Sequence, residues 1–342
     1  MERIGIIGGG SFGSALADII GHKGLPVSLW FRTPESAAAF NDTHENRKYL
    51  PGFPLSSNIT ATSDLREASQ GCRVLLMCVP STHFRSVAHR LGEWLDGSQI
   101  LVSTTKGIEA HTFQLMTEIL REETPCLKIG ALSGPNLAKE IAAKMPSGTV
   151  IASRYDEVIQ EVQNLLSCSY FRVYSSRDVR GVELGGVLKN IYAIATGLAA
   201  AMKVGDNTRG MLLTRGLAEM SRFAEKFGAN PMTFLGLAGV GDLVTTAGSP
   251  LSRNFRVGYL IGQGKTLQEA VQEVGDVAEG VHTVGVVFEK ARELGINMHI
   301  LKGLHALLFE NKPLSTVLQD LMAVPQMEDV EFAHRVTGGE NH

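Results

Sequence analysis

The chain has 342 residues, of which 32 are basic and 35 are acidic, and its formal net charge is −3. A nearly neutral protein has no electric field that collects polyanions, which excludes a nucleic acid as the main partner. Hydrophobic residues make up 44% of the chain. Because a single hydrophobic core rarely extends beyond about 250–300 residues, the length predicts two domains.

Signals for export or for a membrane are missing from the sequence. One of the two longest uncharged runs, residues 227–241, contains Asn230 and Pro231 and is shorter than the roughly 20 apolar residues that span a bilayer. The first residues run into a glycine-rich turn without the apolar core of a signal peptide. The cysteines lack the close pairing of a zinc site or a disulfide framework; they are Cys72, Cys78, Cys126 and Cys168. We expect no membrane span, reduced thiols and a cytoplasmic location.

Strand and helix signals alternate through the first half of the chain. Phe12, Leu16 and Ile19 recur at helical spacing within residues 11–22, and Thr33-Pro34 has the form of a helix start. Short apolar runs predict strands at 4–7, 27–31, 74–79, 100–103, 129–132, 149–152 and 171–174. The alternation predicts an α/β domain of the Rossmann type, with a doubly wound and mostly parallel sheet.

The pattern changes near Val179, after which helical stretches are separated by Gly, Pro and Asn without a convincing strand. One helix begins with a capping box from Thr266 to Glu269. We therefore predict an all-α domain in the C-terminal part. The predicted boundaries are 1–180 for the sheet domain, 181–335 for the helical domain and 336–342 for a tail.

Residues 8–13 read GGGSFG, which matches G-x-G-x-x-G between a predicted strand and a predicted helix. In this pattern Gly8 allows the tight turn, Gly10 allows the backbone to approach a pyrophosphate, and Gly13 lets the helix pack closely on the strand. The helix N-terminus would then bind the pyrophosphate through its amides. The context favours a dinucleotide site over a structural turn without a ligand.

The end of the second predicted strand indicates which dinucleotide is bound. An NAD site usually has Asp or Glu about 20 residues after the glycines, but residues 26–34 contain no acid and Arg32 stands there instead. A guanidinium can bind the 2′-phosphate of NADPH through two hydrogen bonds. The alternative is a solvated arginine at a strand end. We expect NADP(H) to bind, and NAD(H) as the second cofactor.

Three charged residues stand at positions suited to chemistry. Lys106 follows the strand at 100–103, at the edge where doubly wound sheets bind ligands. Lys189 lies in a helix that is apolar on nearly every side, where an ammonium needs a partner or snorkels out to water. Asp242 lies in a glycine-rich loop and is a candidate partner for Lys189.

Ser252, Arg253 and Asn254 begin a short predicted helix. A serine cap, exposed amides and an arginine can bind an anion, although an ordinary cap beside a solvated arginine has the same sequence.

Together, eight segments resemble the bacterial NAD(P)-dependent glycerol-3-phosphate dehydrogenase family, in the same order along nearly the whole chain. They are residues 8–13, 79–81, 105–107, 133–135, 185–190, 214–220, 239–243 and 252–254. The resemblance implies reversible reduction of dihydroxyacetone phosphate to sn-glycerol 3-phosphate, a precursor of phospholipids, without a metal.

The resemblance also assigns residues to roles. It implies that Lys189 is the catalytic lysine, and we expect Asp242 to orient it and Lys106 to lie between cofactor and substrate. The implied substrate positions are Lys106, Gly134, Lys189, Asp242, Ser252, Arg253 and Asn254. The implied cofactor positions are Ser11, Phe12, Arg32, Lys106, Ala138, Arg253, Val277 and Glu279. Asn136 stands where the family usually has a hydroxyl residue that touches substrate, so that contact is expected to differ.

Other readings stay open at this point. Ketopantoate reductase and the β-hydroxyacid dehydrogenases also join a dinucleotide domain to a helical domain, but they act on carboxylates. A cofactor sensor without catalysis has no use for a proton donor such as Lys189. Apolar helical faces in the second domain would either pair two subunits as a homodimer or complete that domain's own core.

Overall fold

The computed structural model describes residues 3–275, 279–325 and 329. The chain divides into two compact units, residues 1–183 and 184–342. The domain assignment 1–180, 181–335 and 336–342 stays a prediction, and residues 336–342 lie outside the described residues.

The first unit is built on one eight-stranded sheet. Its strands are β1 (Arg3–Ile7), β2 (Val27–Trp30), β3 (Ile59–Thr62), β4 (Cys72–Met77), β5 (Ile100–Ser103), β6 (Ile129–Ser133), β7 (Ser147–Ser153) and β8 (Phe171–Ser176). The spatial order is β3-β2-β1-β4-β5-β6-β7-β8. Every neighbouring pair is parallel except β6 and β7, which confirms the predicted sheet.

Both faces of the central strands are buried, as their continuous apolar sequences predict. In β4, Val74 and Leu76 belong to the core on one face, whereas Leu75 and Met77 belong to the core on the other. Helices cover these faces: α1 (Ser11–His22), α2 (Pro34–Thr43), α3 (Leu65–Ser69), α4 (Ser81–Gly92), α5 (Met116–Glu123), α6 (Ala138–Ala142) and α7 (Asp156–Leu166). The sheet is therefore doubly wound.

Strand β3 was not predicted. Its sequence is Ile-Thr-Ala-Thr at the edge of the sheet, and only Ile59 and Ala61 are buried. Such a short strand, polar at alternate positions, has no continuous apolar run to identify it.

The second unit is helical, with no strand among the described residues after β8. Its helices are α8 (Val179–Ala201), which begins in the first unit, α9 (Asp206–Glu225), α10 (Asp242–Gly248), α11 (Arg253–Gly262), α12 (Leu267–Val274), α13 (Glu279–Glu293), α14 (His299–Phe309) and α15 (Leu314–Met322). A 3₁₀ turn (Pro231–Leu235) and a π turn (Leu237–Gly241) precede α10. The predicted capping box of Thr266 and Glu269 is present at α12.

Among the described residues, α8 alone is long and apolar enough to cross a membrane by length and composition. In its most apolar window, however, 89% of the residues are buried inside the protein. An all-round apolar helix of this kind is typical of a protein core.

A buried carboxylate joins three helices of the second unit. Glu219 on α9 accepts hydrogen bonds from the backbone amides of Ile300 at 2.8 Å and Leu301 at 3.3 Å, in the first turn of α14. It also accepts one from the Tyr192 hydroxyl of α8 at 3.0 Å. Burial raises the pKa of Glu219 to about 7, although these donors favour its charged form.

This raised pKa makes stability depend on pH. Because the folded state binds the proton more tightly than the unfolded chain, the contribution of Glu219 is complete below its ordinary pKa of 4.5 and is lost as pH rises through about 7. Glu219→Gln, which cannot titrate, should flatten the fall of unfolding temperature between pH 5 and 8. As pH rises through this range, the unfolding free energy of wild type should fall by on the order of 3 kcal/mol more than that of Glu219→Gln. The exposed Glu273→Gln serves as the control, and an equal slope in both variants would contradict the assignment.

Candidate active site

The glycine-rich turn joins β1 to α1. Gly8 has φ +128°, a conformation that favours glycine, and a Cβ on Gly13 would lie 2.1 Å from the carbonyl oxygen of Gly8. A Cβ on Gly10 would meet nothing within 4 Å. The turn is therefore tight at Gly8, closely packed at Gly13 and open at Gly10. Ser11 and Phe12 follow as the first residues of α1, each half-buried.

A buried asparagine, which was not predicted, holds this turn. The side-chain amide of Asn46 donates to the carbonyl oxygen of Gly9 at 2.9 Å and to the Ser14 hydroxyl at 2.8 Å. Its oxygen accepts from the backbone amide of Tyr49 at 3.2 Å. Asn46 stands in a segment without helix or strand periodicity, so no sequence pattern marks it.

Several expected residues follow the carboxyl ends of neighbouring parallel strands. The glycine turn follows β1, exposed Arg32 follows β2, Lys106 follows β5 and Gly134 follows β6. Because parallel strands end at the same edge of a sheet, these residues share the edge where such sheets bind ligands.

Lys106 is anchored to this edge. Its ammonium donates to the carbonyl oxygen of Gly134 at 2.8 Å. The preceding Thr105 donates its hydroxyl proton to the carbonyl oxygen of Val79 at 2.7 Å. Lys106 is half-buried, so its charge is placed by contacts on two neighbouring segments.

The segment after β6 contains an unpaired polar atom. The Asn136 side-chain nitrogen donates to the Thr149 hydroxyl at 2.9 Å, but among the described residues its buried amide oxygen has no hydrogen-bond partner. An unpaired buried acceptor is costly to the folded state. Ala138 begins helix α6 two residues later.

In the second unit, Lys189 and Asp242 form a buried ion pair. The ammonium of Lys189 lies 2.5 Å from a carboxylate oxygen of Asp242, with side chains only 7% and 1% exposed. Lys189 also donates to the Thr246 hydroxyl at 2.5 Å. Thr246 was not predicted, although its position four residues after Asp242 places both on one face of α10.

The predicted anion site begins helix α11. The Ser252 hydroxyl caps the helix by accepting from the backbone amide of Phe255 at 3.3 Å, and Arg253 is exposed. Asn254 is nearly buried, and its oxygen accepts from the backbone amide of Gly280 at 3.1 Å. This bond ties α11 to the start of α13, where Glu279 stands. Val277 lies outside the described residues.

Glycines bring α11 directly against the helix of Lys189. A Cβ on Gly258 would lie 1.9 Å from the carbonyl oxygen of Ile194, and a Cβ on Gly197 would lie 2.0 Å from that of Phe255. Backbone contact of this kind fixes the start of α11 relative to α8. No group of three or more metal-ligating side chains occurs among the described residues.

Comparison with known proteins identifies the family. A family model for the N-terminus of NAD-dependent glycerol-3-phosphate dehydrogenase matches residues 3–159, and a model for its C-terminus matches residues 178–319. These matches overturn the alternatives of ketopantoate reductase and β-hydroxyacid dehydrogenase.

Individual relatives match this chain over more than nine-tenths of its length. The glycerol-3-phosphate dehydrogenase [NAD(P)+] of Alcanivorax borkumensis is 50% identical over 96% of this chain and 95% of its own length. That of Acinetobacter baumannii strain SDF is 51% identical over 96% and 92%. The crystal structure of the Coxiella burnetii glycerol-3-phosphate dehydrogenase aligns with a TM-score of 0.90 and 35% identity, over 94% of this chain and 99% of that one. The chain belongs to the NAD(P)-dependent glycerol-3-phosphate dehydrogenase family.

Proposed function

We propose that this protein catalyses the reversible reduction of dihydroxyacetone phosphate to sn-glycerol 3-phosphate with NADPH or NADH, and that Lys189 donates the proton. The observation that carries the role of Lys189 is its buried ion pair with Asp242. A core helix would exclude an ammonium unless the charge is used or compensated.

The residues around Lys189 suit proton transfer to a ketone. When bound, the dinucleotide supplies the hydride that adds to C2 of the ketone. The C2 oxygen then gains negative charge, which a nearby ammonium stabilises and neutralises by giving up a proton. Asp242 and Thr246 accept hydrogen bonds from the Lys189 ammonium. Asp242 thus orients the ammonium and keeps it charged.

The residues of the glycine turn fit a dinucleotide. Gly10 leaves open space in front of the first turn of α1, where backbone amides and the helix dipole favour a pyrophosphate. Asn46 holds the carbonyl of Gly9 so that the turn keeps this shape. In the proposal, Ser11, Phe12 and Ala138 line the cofactor, and Arg32 binds the 2′-phosphate of NADPH. Val277 and Glu279 remain predicted cofactor contacts.

The substrate is proposed to bind through its phosphate and its hydroxyl. The first turn of α11 lies at the positive end of the helix dipole and carries the Arg253 guanidinium, and both favour a phosphate. Ser252 and Asn254 stand on either side of Arg253 in the chain. The buried oxygen of Asn136 is suited to accept a hydrogen bond from a substrate hydroxyl. Lys106 and Gly134 stay predicted substrate contacts. Holding the phosphate fixes the ketone for reaction.

Two further proposals concern the role of the enzyme and its location in the cell. We infer that the product supplies glycerophospholipid synthesis and that the enzyme works in the cytoplasm. A homodimer remains a prediction, which light scattering in solution measures.

The test is oxidation of NADPH, and separately of NADH, followed by absorbance with dihydroxyacetone phosphate and with unphosphorylated dihydroxyacetone. The proposal requires turnover with the phosphorylated ketone and little with the other, because the phosphate supplies binding energy. Equal turnover with both ketones would contradict the proposed anion site, and no turnover with either ketone would contradict the proposed activity.

Lys189→Ala should lower kcat by about 10²–10⁴-fold, the usual contribution of a general acid. The affinity for NADPH, measured by fluorescence titration, should change little because the glycine turn is intact. Lys302→Ala, which removes an exposed lysine of the same unit, is the control. Appreciable turnover by folded Lys189→Ala would refute the assignment.

Arg32→Ala should raise KM for NADPH by about tenfold or more, the value of a charged hydrogen-bond pair, and leave KM for NADH nearly unchanged. Steady-state kinetics with both cofactors measure the ratio. Arg66→Ala removes another exposed arginine of the first unit and should change neither value. An equal effect of Arg32→Ala on KM for NADPH and KM for NADH would show that Arg32 does not bind the 2′-phosphate.

A further inference from the structure

An arginine outside the proposed catalytic set lies at the centre of a cluster of acids. Arg85 on α4 donates to both carboxylate oxygens of Glu109, at 2.7 and 2.9 Å. It also donates to Glu122 at 3.0 Å and to Glu123, and to the side-chain oxygen of Gln114. The side chains of Arg85 and Glu109 are only 30% and 21% exposed, so water screens this pair less than it screens a fully exposed pair.

Glu109 belongs to the loop that carries Lys106. This Lys106 loop, residues 104–115, connects β5 to α5. It is closed on itself by the bridge between Ile108 and Leu115 and by a hydrogen bond from the amide of Phe113 to the carbonyl oxygen of Glu109 at 2.9 Å. A displacement of Glu109 therefore moves the whole loop.

Helix α4 contacts the loop at two points on one face. The backbone of Gly107 lies against Ser81, where an added Cβ would come within 2.2 Å of the Ser81 Cβ. One turn further along α4, Arg85 binds Glu109. Because residues four apart share a helix face, α4 fixes the loop immediately after Lys106, while Thr105 fixes it immediately before.

We infer that Arg85 is a positioning residue, which places the Lys106 ammonium by holding Glu109. The inference rests on the proposed function, because it uses the proposed contact of Lys106 with the substrate. Without Arg85, Glu109 would face Glu122 and Glu123 with no cation between them, and mutual repulsion would move the loop. A displacement of about 1 Å in a reacting group can cost about a hundredfold in rate.

The shape of arginine matters as well as its charge. The planar guanidinium of Arg85 meets both oxygens of Glu109 and still reaches Glu122 and Glu123. A lysine at this position keeps the charge but cannot form the paired hydrogen bonds. The kcat/KM of Arg85→Lys for dihydroxyacetone phosphate should therefore lie between the values of wild type and Arg85→Ala.

The experiment is a double-mutant cycle in the full-length protein, with kcat and KM for dihydroxyacetone phosphate as readouts. Arg85→Ala should lower kcat/KM by about 10–100-fold in the wild-type background. In the Lys106→Gln background it should cost almost nothing more, because the side chain that it positions is already gone. His89→Ala is the matched control, since His89 binds Glu123 at 2.9 Å on the exposed side of the cluster without touching the loop.

Amide hydrogen exchange gives a second readout that does not depend on catalysis. The amide of Glu109 donates to the carbonyl oxygen of Gln114 at 3.0 Å, and that of Phe113 donates to Glu109. Both amides should exchange about tenfold faster in Arg85→Ala than in wild type, because loosening the loop opens their hydrogen bonds, and His89→Ala should leave them unchanged. Unchanged exchange, or an equal loss of activity from Arg85→Ala in both backgrounds, would overturn the inference. If wild type itself fails to reduce dihydroxyacetone phosphate, the proposed function fails first.

Discussion

The second unit depends on one constraint, the burial of the Lys189 ammonium inside a core helix. A charge in such a place destabilises the protein by several kcal/mol unless a partner compensates it. Asp242 and Thr246 supply that compensation from α10. The approach is made possible by Gly185, since a Cβ there would lie 2.3 Å from the carbonyl oxygen of Ala238. The glycines around these segments therefore help to bring the partners of Lys189 close to its ammonium.

The first unit differs from the second, because its glycine turn presents backbone amides rather than a buried charge. Its parallel strands end at one edge, and the tight turn after β1 is fixed there by Gly8, Gly13 and Asn46. Lys106 and Arg32 add charge at this edge, and the loop of Lys106 is held through Thr105, Gly107 and Glu109. Both units thus use rigid helices and strands to place a small number of polar groups.

The sequence predicted what periodic burial and local glycine patterns encode. The doubly wound sheet, the helical second part and the pairing of Lys189 with Asp242 were all readable, because continuous apolar runs and a charge inside an apolar helix leave few alternatives. Strand β3 was missed because only alternate residues of an edge strand are buried. Asn46, Thr246 and Arg85 were missed because their partners are distant in sequence or lie in segments without periodicity, so only the folded chain brings them together.

In the proposed mechanism, Asp242 keeps the ammonium of Lys189 charged so that it can donate a proton. The most direct measurement is the pH dependence of kcat for reduction of dihydroxyacetone phosphate, compared between wild type and Asp242→Asn. Because a neutral amide no longer favours the ammonium in a buried place, the decline of kcat at high pH should begin at a lower pH in the variant. An unchanged profile in Asp242→Asn, with wild-type kcat, would contradict the account.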